Sequence, residues 1–130
     1  MATFQHVEEI EAWQKARVLV RKIYLVSSAG AFSKDFALRD QIRRAGVSVL
    51  SNISEGFERS GSGEFAQFLA IAKGSTGEIK AQLYVAVDQQ YISQATFDEL
   101  VNELEGTARM ISGLMTYLRK TKMRGTKFKG

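Results

Sequence analysis

Apolar residues recur along this chain at steps of three and four, the spacing that lays them along one face of an α-helix. Four segments show it. The first runs from about Val7 to Ser27, with Ile10, Trp13, Ala16, Val20 and Ile23 in line and Leu19 and Val26 beside them. The second runs from about Phe36 to Phe57, with Leu38, Ile42, Ala45, Val49 and Ile53. The third, from about Glu64 to Gln90, carries Phe65, Phe68, Ala72, Ile79, Leu83 and Ala86. The fourth, from about Thr96 to Lys120, carries Phe97, Leu100, Leu104, Ala108, Ile111, Met115 and Leu118. None alternates with the period of two that marks a strand.

The breaks between them are short. Ser28-Ala29-Gly30-Ala31 ends the first helix, with Gly30 suited to a left-handed position. Asp35 is placed to cap the second. Ser60-Gly61-Ser62-Gly63 separates the second from the third, and Ser93 or Thr96 can cap the fourth. Short connections make consecutive helices antiparallel neighbours. At about 1.5 Å per residue each helix spans roughly 30–40 Å. The expected fold is all-α, an antiparallel up-down-up-down four-helix bundle over residues 1–118. Gly46, Gly74, Gly77, Gly106 and Gly113 fall inside helices, where each costs up to about 1 kcal/mol against alanine. Close helix approach, within the bundle or between subunits, is the expected compensation.

Composition narrows the chemistry. The 130 residues include no cysteine, no proline and one histidine, His6. Disulfides and thiolate metal sites are excluded, and Ser-His-Asp chemistry has almost nothing to use. Proline-free helices run unbroken. No Glu-x-x-His pair is present to build a di-metal bundle. Lys73-Gly74-Ser75-Thr76 resembles a scrambled phosphate loop, but its lysine precedes the glycine and no strand leads into it. Ser60–Gly63 could in principle hold an anion at a helix start, but a plain flexible turn is the preferred reading. No apolar run reaches the roughly 20 residues that span a bilayer, and the first residues lack the pattern of a secretory signal. The expectation is a cytoplasmic protein with no metal, cofactor, membrane contact or small-molecule substrate.

The net charge of +4 is unevenly placed. Arg119, Lys120, Lys122, Arg124, Lys127 and Lys129 crowd the last twelve positions with no acid among them. The rest of the chain holds 12 basic and 14 acidic residues. A basic tail over 119–130 is one footprint of nucleic-acid contact, and equally that of a solvated, flexible end. Arg17 and Arg21, four apart on the first helix, could extend that surface or serve only solubility.

A second, polar stripe accompanies the apolar one on the second helix: Gln41, Arg44, Ser48, Asn52 (or Ser51) and Glu55. The third helix carries Lys73, Ser75, Glu78 and Gln82. Ser, Asn and Gln with single charges point to partial burial and mutual hydrogen bonding. The expectation is that Arg43 or Arg44 pairs with Glu78 across the two helices, in a groove or at a subunit interface. The alternative is an exposed polar face.

The run Gln41-Ile42-Arg43-Arg44-Ala45-Gly46-Val47-Ser48-Val49-Leu50-Ser51-Asn52-Ile53-Ser54-Glu55-Gly56 resembles the signature of the bacterial four-helix-bundle proteins known as 23S ribosomal RNA intervening-sequence proteins. Trp13-Gln14-Lys15-Ala16 fits as well, as do Glu64, Phe65, Phe68, Leu69, Ile71, Ala72, Gly74, Ser75, Glu78 and Gln82, followed by Tyr91-Ile92. The likeness covers about residues 4–118. Leu50 stands where the family usually has proline, so a kink there is lost or weakened. Thr76 and Gly77 replace larger apolar residues, which loosens local packing, and the glutamate-rich stretch is thinner.

The resemblance implies a bundle that assembles as a homopentamer. Some members are encoded inside inserts of ribosomal RNA genes. A structurally similar relative is the accessory protein of diversity-generating retroelements, a basic pentamer that binds a reverse transcriptase and nucleic acid. The family brings no established catalytic residue. Two functions follow as expectations. The first is a non-enzymatic oligomeric scaffold binding RNA, or an RNA-associated protein such as a reverse transcriptase, through its basic tails. The second is a protein-protein adaptor working through the polar groove on helices two and three, without nucleic acid. An enzyme would need a cleft with perturbed carboxylates, and no paired acid and base is visible.

Overall fold

The computed structural model describes residues 4–59 and 61–123, and of 121–123 the backbone alone. Among these residues there are four α-helices and no strand: α1 (Glu11–Ser27), α2 (Phe36–Glu58), α3 (Ser62–Asp88) and α4 (Gln94–Met123). Single 3-10 turns, Val7–Glu9 and Gly30–Lys34, precede α1 and α2. Each helix packs on its neighbour in sequence and α1 closes on α4. Side-chain bonds fix the directions. Trp13 reaches Ser54 while Ser27 meets Arg43, so α1 and α2 run antiparallel. Ser48 meets Ser75 and Gly56 meets Phe65, which sets α2 against α3. Lys80 meets Glu105 and Tyr84 meets Phe97, which sets α3 against α4. The result is the up-down-up-down bundle.

The core follows the apolar stripes. Leu38, Ile42, Ala45, Val49 and Ile53 of α2 are buried, as are Phe65, Leu69, Ala72, Ile79, Leu83 and Ala86 of α3. On α4 the buried line is Phe97, Leu100, Leu104, Ile111 and Leu118. On α1 the centre of the stripe lies at Ala12, Ala16, Leu19 and Ile23, and Trp13 and Val20 sit half-buried at its edge. Phe32, inside the second 3-10 turn, is fully buried and stacks on Tyr91 with ring centroids 5.4 Å apart. That plug falls in a segment whose periodicity is too short to read as an element.

The helix ends obey local chemistry. Asp35 Oδ1 accepts the Leu38 backbone N–H at 3.1 Å and caps α2. Ser93 Oγ accepts the Thr96 N–H at 3.1 Å and starts α4. Gly30, at φ +53°, makes the turn out of α1. α3 ends with Gln90 at φ 64°, where its N–H reaches the Val87 carbonyl and the Tyr91 N–H reaches the Ala86 carbonyl. That double closure normally recruits glycine. α2 runs unbroken through Leu50, as expected of leucine in place of proline. Thr76 is 5% exposed and its hydroxyl donates to the Lys73 carbonyl at 2.6 Å, so that site is filled. α4 continues to Met123, so Arg119 and Lys120 stand on its last turns.

Of the helix-interior glycines, Gly46 answers to close approach within the chain: a Cβ there would meet Ile23 Cδ1 at 3.3 Å. The tightest approach is at Gly56, where a Cβ would fall 2.8 Å from Phe65 Cδ1 and 2.9 Å from Phe68 Cβ. Gly56→Ala is therefore expected to lower stability by about 1–3 kcal/mol through overpacking. An unchanged denaturation midpoint would show that α2 and α3 have room to spare.

Asp35 also ties the opposite loop down, because the Tyr91 hydroxyl donates to its Oδ2 at 2.9 Å. That hydrogen bond, aided by desolvation, raises the Tyr91 pKa above the ordinary tyrosine range. A raised folded pKa means the contribution is whole below the unfolded value of about 10 and is lost as pH climbs through the folded one. Tyr91→Phe should lower the melting temperature at neutral pH and flatten the alkaline decline. Two melting curves that stay parallel through the alkaline range would contradict this.

Candidate functional site

The polar stripes of α2 and α3 meet at Ser48 and Ser75. Ser48 Oγ lies 2.9 Å from Ser75 Oγ, and Asn52 Nδ2 donates to the Ser48 carbonyl at 2.8 Å and to its Oγ at 3.1 Å. Ser75 is only 6% exposed. Glu55 pairs with Arg59 at 2.9 Å, and the Arg59 guanidinium lies over the Phe68 ring. Gln41 is exposed. Gln82 is half-buried, and its Oε1 is shut from solvent without a hydrogen-bond partner.

The expected pairing of Arg43 or Arg44 with Glu78 is absent within the chain. Arg43 turns to α1: its Nε donates to Ser27 Oγ at 2.8 Å, its Nη2 to Ser28 Oγ at 2.9 Å, and its guanidinium covers the Tyr24 ring at 4.5 Å. The reason is helical register. Positions 39, 43, 50 and 54 share the face of α2 that looks at α1. Arg44 and Glu78 both stand exposed, with no ion pair joining them.

The candidate basic residues divide. Arg17 is exposed, 5.9 Å from the centre of the Trp13 ring, and Arg21 is exposed one turn on. Trp13 Nε1 donates to Ser54 Oγ at 2.9 Å, which pins this edge of α1 to α2. Arg119 and Lys120 are exposed at the end of α4. The Lys122 side chain, Arg124, Lys127 and Lys129 lie outside the described residues.

Two features escaped the sequence reading. One is a pair of exposed rings with arginines laid over them: Tyr24 under Arg43, and Phe36 under Arg39 at 4.8 Å. The aromatic and the arginine three residues on, Phe36 and Arg39, could have signalled it. The other is the outward face of α3, where Ile71, Tyr84 and Val85 are 53%, 51% and 45% exposed. Between them Ala70, Gly74, Gly77 and Ala81 are also exposed, and a Cβ on either glycine would meet nothing within 4 Å. Helix α3 thus carries exposed apolar side chains on its outer side, with the exposed Glu78 between Ile71 and Val85. Reading only the best periodic stripe hides this.

Elsewhere, ordinary surface chemistry prevails. Lys22 bonds Glu103 and, at 3.1 Å, Glu99, and these carboxylates raise its pKa. The Lys80–Glu105 pair at 2.9 Å raises the lysine and lowers the glutamate. An open groove of about 570 Å³ between α1 and α4 is lined by Lys15, Asn102, Glu103 and Arg109, among others. Among the described residues no group of three His, Cys, Asp or Glu is placed to hold a metal ion, and no helix is long and apolar enough to cross a membrane.

The family model for 23S rRNA-intervening sequence proteins matches residues 8–113. A crystal structure from Bacteroides thetaiotaomicron VPI-5482, a protein of unknown function from the S23 ribosomal protein family, shares the fold. It superposes with a TM-score of 0.73 at 20% identity, covering 80% of this chain and 97% of its own. No curated protein matches the chain in sequence.

The α2–α3 hydroxyl pair yields a test of coupling. Ser48→Ala should cost about 1–2 kcal/mol, since it leaves the shielded Ser75 hydroxyl without its partner, and Ser75→Ala should cost less, since Ser48 Oγ keeps the Asn52 amide. The double variant should cost less than the two added together. Strict additivity would mean that the two hydroxyls do not depend on each other.

Proposed function

The chain belongs to the 23S rRNA-intervening sequence protein family, and on that footing we propose that it is a non-enzymatic, self-assembling bundle that binds RNA or an RNA-associated protein, such as a reverse transcriptase, through clustered basic C-terminal residues. The outward face of α3 carries the self-assembly reading. A helix that exposes Ile71, Tyr84 and Val85 on its outer side offers a second contact beyond the one the bundle supplies. Two glycines standing open on that face cost helix stability of roughly 1 kcal/mol each. A neighbouring subunit that packs onto them offsets the loss.

Five copies is the number the family resemblance indicates. Each copy contributes Arg119, Lys120, Lys122, Arg124, Lys127 and Lys129. A ring would gather about thirty positive charges, and linked sites bind far more tightly than one. Such binding is directed at phosphates and falls steeply with salt. The adaptor reading has less support. The seam between α2 and α3 directs its hydroxyls and the Asn52 amide at one another, which leaves Gln41, Arg44, Glu78 and Gln82 as the groups open to a partner.

Light scattering of the purified chain should give about five times the protomer mass, a closed cyclic assembly. Gly74→Arg, which places a charged side chain on the outward face, should reduce it to the protomer mass while helicity is kept. Deleting residues 119–130 should weaken RNA binding at least about tenfold and flatten its salt dependence. A monomeric wild type would sink the assembly. Unchanged affinity and salt dependence in the truncated protein would sink the tail as the contact.

A further inference from the structure

Positive charge is segregated within the folded body as well as at its end. Residues 15–44 hold eight lysines and arginines against two aspartates, whereas residues 1–14 and 45–118 hold four against twelve acids. Of the eight, Lys22 is spent on Glu99 and Glu103, and Arg39 pairs with Asp40 at 3.0 Å. Arg17, Arg21 and Tyr24 fall at steps of four and three, on the edge of α1 that Trp13 holds against α2. Across the seam, Arg39 and Arg43 stand one turn apart on α2. Their guanidiniums lie over Phe36 and Tyr24 at 4.8 Å and 4.5 Å. Ring, guanidinium, guanidinium and ring thus form one row along the seam.

The rings are costly where they stand. Phe36 is 63% exposed and Tyr24 is 41% exposed. Neither is among the core side chains, and a phenylalanine left mostly in water contributes little to holding the bundle together. Aromatic faces set among arginines are what unpaired nucleobases stack on, and the surrounding charges suit the phosphates that join those bases. An acidic protein segment would use the charges and leave the ring faces idle; a single strand of RNA uses both.

We propose that the α1–α2 seam is a second nucleic-acid site, which holds single-stranded RNA by stacking bases on Tyr24 and Phe36 while the exposed Arg17 and Arg21 meet its phosphates. This rests on the reading above that RNA is the ligand, and it adds a contact that belongs to the folded body. It is selective for unpaired bases, which a cluster of tail charges is not.

The test is fluorescence anisotropy of the full-length chain with a labelled oligouridylate, and with an RNA duplex of the same length. Phe36→Ala and Tyr24→Ala, both at exposed positions, are expected to keep the melting temperature and to weaken oligouridylate binding about tenfold each. Their salt slope should stay that of the wild type. Arg21→Glu should lower the slope by about one or more. The duplex should bind more weakly and ignore the aromatic substitutions. In the chain lacking residues 119–130, the residual binding should still respond to Phe36→Ala. If both aromatic variants bind like the wild type while the truncation removes binding, the seam proposal falls and the tail reading stands. If the wild type binds neither RNA, both fall. If polyglutamate binds through Phe36 and oligouridylate does not, the seam is a protein site and the proposal is overturned.

Discussion

The close approach of α2 and α3 is the constraint on which the rest of this molecule depends. Gly56 lets the α2 backbone settle against Phe65 and Phe68, with no room for one more carbon. Further along, Ser48, Asn52 and Ser75 are small and bond to one another in the shielded interface. A seam of small residues admits two backbones closely only if its polar groups are satisfied locally. Because that side of α2 is given to small residues, its long side chains emerge elsewhere. Arg39, Arg43 and Leu50 fall toward α1, and Arg44 and Val47 face outward. The same arrangement on α3 turns Gly74 and Gly77 to the outside.

Most of the bundle was legible because amphipathic helices declare themselves by spacing. The stripes of α2, α3 and α4 were read nearly residue for residue, and Asp35 and Ser93 marked the helix starts by their ability to accept a backbone N–H. What escaped was what periodicity does not encode. Phe32 is fully buried in a 3-10 turn too short to show a pattern. Gln90 takes a left-handed conformation usually read from glycine. Arg43 sits one position from Arg44, yet a step of one residue rotates a side chain by about 100° around the axis, from the outer surface to the α1 seam. Of the polar stripe, Ser48, Asn52 and Ser75 meet between α2 and α3, while Gln41, Arg44, Glu55 and Glu78 stand exposed, and a partner for its arginine could not be chosen without knowing which helix each flank faced.

Charge on this chain is best understood by region. A modest overall positive balance conceals an acidic body, and that body conceals a basic hairpin between α1 and α2. The acids that outnumber it elsewhere are partly engaged along α4, where Glu99, Glu103 and Glu105 hold lysines from α1 and α3. Those pairs are exposed and each contributes little stability. Their larger effect is to neutralise lysines on the α4 side of the molecule, which leaves the α1–α2 side as the part of the folded body where arginines gather around rings.

The antiparallel closure of the helices also separates the two basic regions. Arg119 and Lys120 stand on the last turns of α4, beyond Met110 and Leu114, which meet the start of α1. Tyr24, Phe36 and Arg39 stand at the far end, beside the start of α4. The distance is close to the length of α2, 23 residues or about 35 Å at the helical rise. The bundle therefore acts as a ruler. Under the proposed function, a short oligonucleotide touches one end or the other, and only a strand long enough to run the length of the protomer touches both.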